Sequence, residues 1–392
     1  MGEDVDNKRH FYQCNNSLEI LHSKNYVNET PIGFQVINNG FILPLKRETT
    51  VTFLGGVVDS SKKFVAGLMR HHDKPNWNPN CIKSYEFDDF LTSDDSVIFG
   101  GVIIPQFGHF LIDSLSRIWF VVKNKDALQK YKIIFTLVGS TIPSYIYETL
   151  ELLGIKQEQV VFIKTVTKFK EIIIPDQSGY TGHYIHKEFL TIYEEMLSNS
   201  LKVFKGETYK KIFLSRAKCK TGYKLIGEEF FSEFYSNHGF KVIYTDEMSM
   251  IEKVALIGSA DEIVTTCGTI SLYSLFVRND CKVTLLGRNY NDVPNCQIIV
   301  NSAKNYECYI VDCSFNFLYS DLYSGVSLLY PTKYWLEYVK DVYGIKSVPS
   351  IDSSCIFEYI KYFYQYYKEK PTFDFANEKF AKDFFERCGK LF

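Results

Sequence analysis

The chain has 392 residues, of which 46% are hydrophobic and 23% charged, and its 44 basic and 46 acidic side chains leave a formal net charge of −2. These proportions exclude a largely disordered chain, and the balanced charge excludes an overall field that would draw the protein to nucleic acid or acidic lipid. Ten cysteines occur without a CxxC pair or a zinc-type Cys/His spacing, which predicts reduced, mostly buried thiols.

The length exceeds the usual size of one compact core and suits two domains of about 150 to 200 residues each. The first thirty residues are polar and no run of about 18 apolar residues occurs, so the expectation is a cytoplasmic protein, at most peripheral at the inner face of a membrane. Apolar runs at Gly33 to Leu45, Val51 to Val58 and Ser96 to Ile104 have the length and punctuation of strands. Residues 106–122, QFGHFLIDSLSRIWFVV, carry apolar side chains at helical spacing. Strands follow at Lys132 to Val138, Val160 to Ile163 and Glu171 to Ile174, with helices at Ser144 to Leu153 and from about His186 to Phe204.

A polar, Gly206-containing stretch at 205–211 is the expected linker. Beyond it the alternation is regular: strand Lys211 to Ser215, helix Leu225 to His238, strand Lys241 to Tyr244, helix Ser249 to Ser259, strand Glu262 to Thr266, helix Ser271 to Val277 and strand Lys282 to Leu286. That order predicts a parallel sheet with covering helices. The aromatic-rich tail suggests two further helices, broken near Pro349 and Pro371.

Three segments carry candidate chemistry. On the helix predicted over 106–122, His109, Asp113 and Arg117 recur every four residues and so share one stripe. Group transfer to a hydroxyl needs a base, a role open to His109 or Asp113, whereas the structural reading is an Asp113–Arg117 surface pair beside a packed histidine. At KIFLSRAK (211–218) a strand ends in Ser215 and Arg216, with Lys218, Lys220 and Lys224 close behind. Such a loop suits a diphosphate, since Arg offers a planar fork to phosphate oxygens; the competing reading is a solvated basic loop. At EIVTTCGTISLYSLF (262–276) a strand turns through Cys267, Gly268 and Thr269 into a helix whose amides suit an anion, with Ser271 as a cap or a ligand contact.

No GxGxxG or GxxxxGK[ST] pattern occurs, which argues against a nicotinamide dehydrogenase and a P-loop enzyme. The only Asp-x-Asp, Asp4 to Asp6, lies in the polar N-terminus, so no metal site and no cofactor are expected.

In this order the segments resemble glycosyltransferase family 61. GHFLIDSLSRIW (108–119) is similar to the family's GHFL.D.L.RLW, DEMSMIEKVALIGSADEIV (246–264) to its EELSFEEQI.LF..AD.IV, SRAKCKTGYKLIGEE (215–229) to its SR…R…NE, and TCGTISLYSLF (266–276) stands where it has HGAGLTNLLF. Three positions depart: Cys267 stands for a histidine, Gly227 for an asparagine and Tyr273 for an asparagine.

The resemblance implies an α/β fold of two Rossmann-like domains facing across a cleft, the glycosyltransferase-B fold, with residues 1–204 binding acceptor, 205–330 binding the nucleotide-sugar, and 331–392 a helical tail. It implies inverting transfer to a glycan or glycolipid hydroxyl, metal-independent given the Asp-x-Asp reading above, with capsule or surface polysaccharide synthesis as the setting. His109 and Asp113 match its catalytic motif and Arg117 its acceptor side. Ser215, Arg216, Glu228 and Gly268 match its donor side, to which Lys224, Thr269 and Ser271 add by position. Nucleic acid is not among the partners implied, and homo-oligomerisation is left open. The rival reading is a non-catalytic carbohydrate-binding or assembly subunit that keeps the fold.

Overall fold

A computed structural model of the chain describes residues 8–13, 17–22, 24–49, 52–70, 80–181, 183–219, 224–288, 293–315 and 326–368. Strand β1 (Arg9–Tyr12) is followed by β2 (Phe34–Asn38), β3 (Phe41–Arg47), β4 (Thr52–Val58), β5 (Phe64–Ala66), β6 (Asn80–Lys83) and the long β7 (Leu91–Ile103). Helix α1 (Phe107–Ile112) then leads to β8 (Lys132–Leu137), α2 (Ser144–Leu152), β9 (Val160–Phe162), β10 (Thr167–Pro175) and α3 (Lys187–Val203). The apolar run at 33–45 gives two strands, because Asn39 takes a left-handed φ of 55° and turns the chain between β2 and β3.

These strands make a mixed sheet in the order β9-β8-β7-β10-β3-β4-β5, with β2 also on β10 and β6 also on β4. Its β9, β8, β7 and β10 run parallel, while β3, β4 and β5 are antiparallel.

The single helix predicted over 106–122 is broken. It ends at Ile112, a 3₁₀ turn spans Ser114–Arg117, and a short helix resumes at Trp119–Lys123. Ser114 Oγ accepts from Ile104 N (2.9 Å), just past β7, and at the break itself Ser116 Oγ donates to Asp113 O (2.7 Å). Local bonds of this kind compete with the helical pattern. Arg117 therefore leaves the stripe that His109 and Asp113 share.

The second sheet is built from β11 (Lys211–Ser215), β12 (Lys241–Tyr244), β13 (Glu262–Thr266), β14 (Lys282–Gly287) and β15 (Glu307–Asp312), with helices α4 (Glu228–Asn237), α5 (Met250–Ser259) and α6 (Asn295–Ala303) between them. All its pairings are parallel, in the order β1-β15-β14-β13-β11-β12. β13 is buried along its whole length, and its EIVTT sequence has the β-branched character that a strand covered on both faces needs. Ser249 starts α5 by a reciprocal cap, its Oγ accepting from Glu252 N while Glu252 accepts from Ser249 N at 2.8 Å.

Three expectations shift here. The helix placed at 225–238 starts only at Glu228, since Leu225–Ile226 pairs as a strand with Ser327–Leu328. The helix placed at 271–277 is a 3₁₀ turn over Thr269–Phe276. And β1, from the segment assigned to the acceptor domain, lies at the edge of the second sheet. The tail supplies α7 (Lys333–Tyr343) and α8 (Ser354–Lys368), with Pro349 between them; Pro371 lies outside the described residues.

The architecture is mixed α/β with two principal sheets, and the sheets share one hydrophobic core. α3 turns Phe189, Ile192, Tyr193 and Met196 inward, where they join residues of both halves, from Ile98 on β7 to Ile310 on β15. Among the described residues no helix is long and apolar enough to cross a membrane.

Candidate functional site

In a parallel sheet the residues that follow neighbouring strands emerge along one edge, where ligands usually bind. Here β13 is flanked by β11 on one side and β14 on the other, with Leu214 level with Thr265 and Thr266 level with Leu286. This register brings Arg216, Gly268 and Arg288 to the same edge. Gly268 has a φ of 133°, a conformation open in practice only to glycine. A Cβ at that position would lie 3.1 Å from Arg288 Nη2 and 3.4 Å from Arg216 Nη1, so the two guanidinium groups converge on one backbone point.

The groups expected around them are anchored elsewhere. Ser215 Oγ accepts from Ala217 N (3.1 Å) and is buried. Glu228 is also buried and turns its carboxylate onto the Arg216 amide, with N–O distances of 2.9 and 3.1 Å. Both carboxylate oxygens thus hold the Arg216 loop. Burial pushes the Glu228 carboxyl up to about 7, against the pull of the Arg216 amide and charge. Ser271 Oγ donates to Gly268 O (2.7 Å) and accepts from Gly268 N (3.2 Å), so it caps the 3₁₀ turn. Lys224 pairs with Glu358 (3.4 Å) and lies over the Tyr362 ring, on α8; Lys218 pairs with Glu247 (3.0 Å). Lys220 lies outside the described residues.

Helix α1 of the first half meets this edge directly. Gln106 caps α1 by accepting from His109 N (2.8 Å), and its Nε2 donates to Thr269 Oγ1 (3.3 Å). The approach is close, since a side chain at Gly108 would begin 3.3 Å from the Thr269 side chain. Thr269 is thus a polar contact between the halves, and Gln106 is a residue at this edge that the sequence reading passed over.

Beside this contact lies a His–Asp–Arg cluster. His109 Nδ1 is 2.9 Å from Asp113 Oδ2, and Arg70 Nε is 2.8 Å from the same oxygen; Thr181 Oγ1 donates to Oδ1. The Arg70 contact is ionic, its N–H not being directed along a hydrogen-bond axis. Asp113 is 2% exposed and Arg70 5%, whereas His109 is 30% exposed. Burial alone would raise the Asp113 carboxyl, but the Arg70 charge and the His109 bond outweigh it and hold the group below the ordinary aspartate range. An ionised Asp113 accepts from Nδ1–H of His109 and so favours the tautomer that leaves the lone pair on Nε2.

Arg117 is removed from this cluster. Its guanidinium donates to Pro175 O and to Gly67 O (3.1 Å), and burial lowers its pKa to about 10. It lines a 260 Å³ cavity with Met69, Asp176, Gln177 and Tyr180, a lining that includes neither His109 nor Asp113.

Residues 107–284 match the family model described as Glycosyltransferase 61. The chain belongs to glycosyltransferase family 61. This segment runs from α1 through the Gly268 turn into β14, so it holds His109, Asp113, Arg216 and Thr269, while Gln106 stands one residue before its start. No curated protein matches the chain. The family makes the protein a glycosyltransferase, and it implies a nucleotide-sugar donor and a glycan acceptor.

The structure accounts for two of this family 61 member's departures from the expected pattern. Gly227 has a φ of 83° and a Cβ there would stand 2.3 Å from Leu329 O, so the strand pairing of 225–226 with 327–328 leaves room only for glycine. Tyr273 is buried and packs its ring on Phe107 at 5.2 Å, filling the junction between α1 and the 3₁₀ turn. Cys267 is buried behind the site within the shared core. Arg70 and Arg288 lie outside the matched span, and sequence reading missed both. Arg288 had a legible signal, since KVTLLGR at 282–288 repeats the pattern of a strand ending in arginine already noted at 211–216. Arg70 had none, its partner Asp113 being 43 positions away in sequence.

Proposed function

We propose that this family 61 protein is an inverting glycosyltransferase of the two-domain B type that moves a sugar from a nucleotide-sugar to a glycan or glycolipid hydroxyl, with His109 as the general base. The observation that carries this reading is the Gln106–Thr269 contact. It brings α1, the helix that carries His109, up to the turn on which Arg216 converges, which supports pairing an acid–base group with an anion-binding edge. In the reaction, His109 Nε2 takes the proton of the acceptor hydroxyl as its oxygen attacks the sugar C1 from the face opposite the nucleotide. The C1–O bond to the diphosphate breaks, the configuration at C1 inverts, and the electron pair leaves on the phosphate oxygen. Arg216 and the first amides of the 3₁₀ turn stabilise that charge, so the reading calls for no metal.

Asp113 is a positioning residue in this scheme. Both of its oxygens are engaged and it is almost wholly buried, which favours His109 over Asp113 as the base. Arg70 keeps it ionised.

The test is a screen of nucleotide-sugars for turnover and thermal shift, with and without a chelator, on wild type and His109→Ala. Donor-dependent transfer that persists in chelator and is lost in a folded, donor-binding His109→Ala is the expected result. Full turnover by His109→Ala would remove the base assignment, and nucleotide-sugar binding without transfer to any acceptor would favour the non-catalytic subunit.

A further inference from the structure

The donor edge carries a second cation that the family match does not reach. Arg288 follows β14 directly, is 8% exposed, and brings Nη2 to 3.1 Å from the point where a Gly268 Cβ would stand, while Arg216 Nη1 reaches the same point from β11 at 3.4 Å. The two guanidinium groups arrive from opposite neighbours of β13, whose ends the sheet order sets on either side of Gly268. The glycine is what admits them: any side chain at 268 would occupy the point on which they meet.

We infer that Arg288 and Arg216 form a two-arginine clamp whose ligand is a nucleoside diphosphate, with Arg288 the residue that selects diphosphate over monophosphate. The inference rests on the donor-site reading above. One planar fork suffices for a single phosphate, because its donors engage two oxygens of one group. Two forks meeting over a backbone with no side chain can each take a different phosphoryl group, and the charge they concentrate complements the more highly charged diphosphate leaving group better than a monophosphate.

The experiment is calorimetric titration of the full chain with UDP, GDP, CDP and ADP, and with the matching monophosphates, for wild type, Arg288→Ala and Arg288→Lys, each checked for folding by thermal unfolding. For the diphosphate that wild type binds, Arg288→Ala is expected to weaken affinity about 10- to 100-fold, the range of one lost charge-assisted bond. The monophosphate should lose much less, and Arg288→Lys should fall between wild type and alanine because it keeps charge and loses the fork. Unchanged diphosphate affinity in a folded Arg288→Ala, or equal losses for both nucleotide classes, overturns the clamp while leaving the donor-site reading intact. Should the alanine variant not fold, diphosphate affinity of Arg288→Lys equal to wild type overturns it in the same way. Failure of wild type to bind any of the eight nucleotides overturns the donor-site reading itself.

Discussion

Asp113→Asn is the sharpest perturbation available, because it changes one charge while keeping the side chain's shape. Asp113 and Arg70 are 2% and 5% exposed and 2.8 Å apart, so the variant leaves a guanidinium buried without its counter-charge. Breaking a buried pair in this way costs about 3–5 kcal/mol. The asparagine also offers its amide hydrogens to groups, Arg70 and His109, that themselves donate. Urea unfolding should therefore show a stability loss of that size, and Asp113→Asn/Arg70→Met, which removes both charges, should recover a large part of it. The pH dependence follows from the direction of the shift. A carboxyl held below its unfolded value contributes stability that is fully present above about pH 4 and is lost as pH falls through the folded value. The gap between wild type and Asp113→Asn should stay constant from pH 8 to pH 5 and close only below about pH 4. Turnover should fall about 10²- to 10⁴-fold, since His109 loses the partner that sets its tautomer. A stability loss under about 1 kcal/mol, or a gap that already closes near pH 6, would show that Asp113 is not the ionised centre of the cluster.

Three further outcomes follow from the same geometry. Glu228→Gln keeps an oxygen for the Arg216 amide and removes a carboxyl that burial has raised to about 7; since the folded chain holds that proton more tightly than the unfolded one, wild type loses stability as pH rises from about 4.5 to 7, and the variant should match it at pH 5 and exceed it by up to about 3 kcal/mol at pH 8. Parallel stability curves in thermal unfolding would refute this, and a loss of donor affinity would return Glu228 to a direct ligand contact. Gly268→Ala should strain the backbone by about 1–3 kcal/mol and weaken diphosphate binding in calorimetry, because the new Cβ sits 3.1 Å from Arg288 Nη2 at a φ of 133°. Unchanged affinity there would refute the convergence. Arg117→Lys should cost about 1.5–3 kcal/mol in urea unfolding, through the carbonyls of Pro175 and Gly67, and leave the acceptor KM unmoved; a raised KM at full stability would restore the acceptor role implied by the motif.

The sequence alone determined what depends on local chemistry and on strand order. The regular alternation from Lys211 to Leu286 dictated a parallel sheet, and with it the common edge on which Arg216 and Gly268 stand, because strand ends in such a sheet share one side. The i,i+4 spacing of His109 and Asp113 likewise fixed their contact within one helical turn. The tertiary structure decided everything that rests on partners distant in sequence or on competition for a backbone group. The helix broke after Ile112, where Ser116 bonds the Asp113 carbonyl, and Arg117 turned to the carbonyls of Gly67 and Pro175, which periodicity cannot anticipate. Residues 9–12 joined the far sheet by pairing with 308–311, a choice made by an open strand edge at the other end of the chain. Asp113 became a buried counter-ion to Arg70, since burial and neighbouring charge are properties of the packed molecule and not of the residue type.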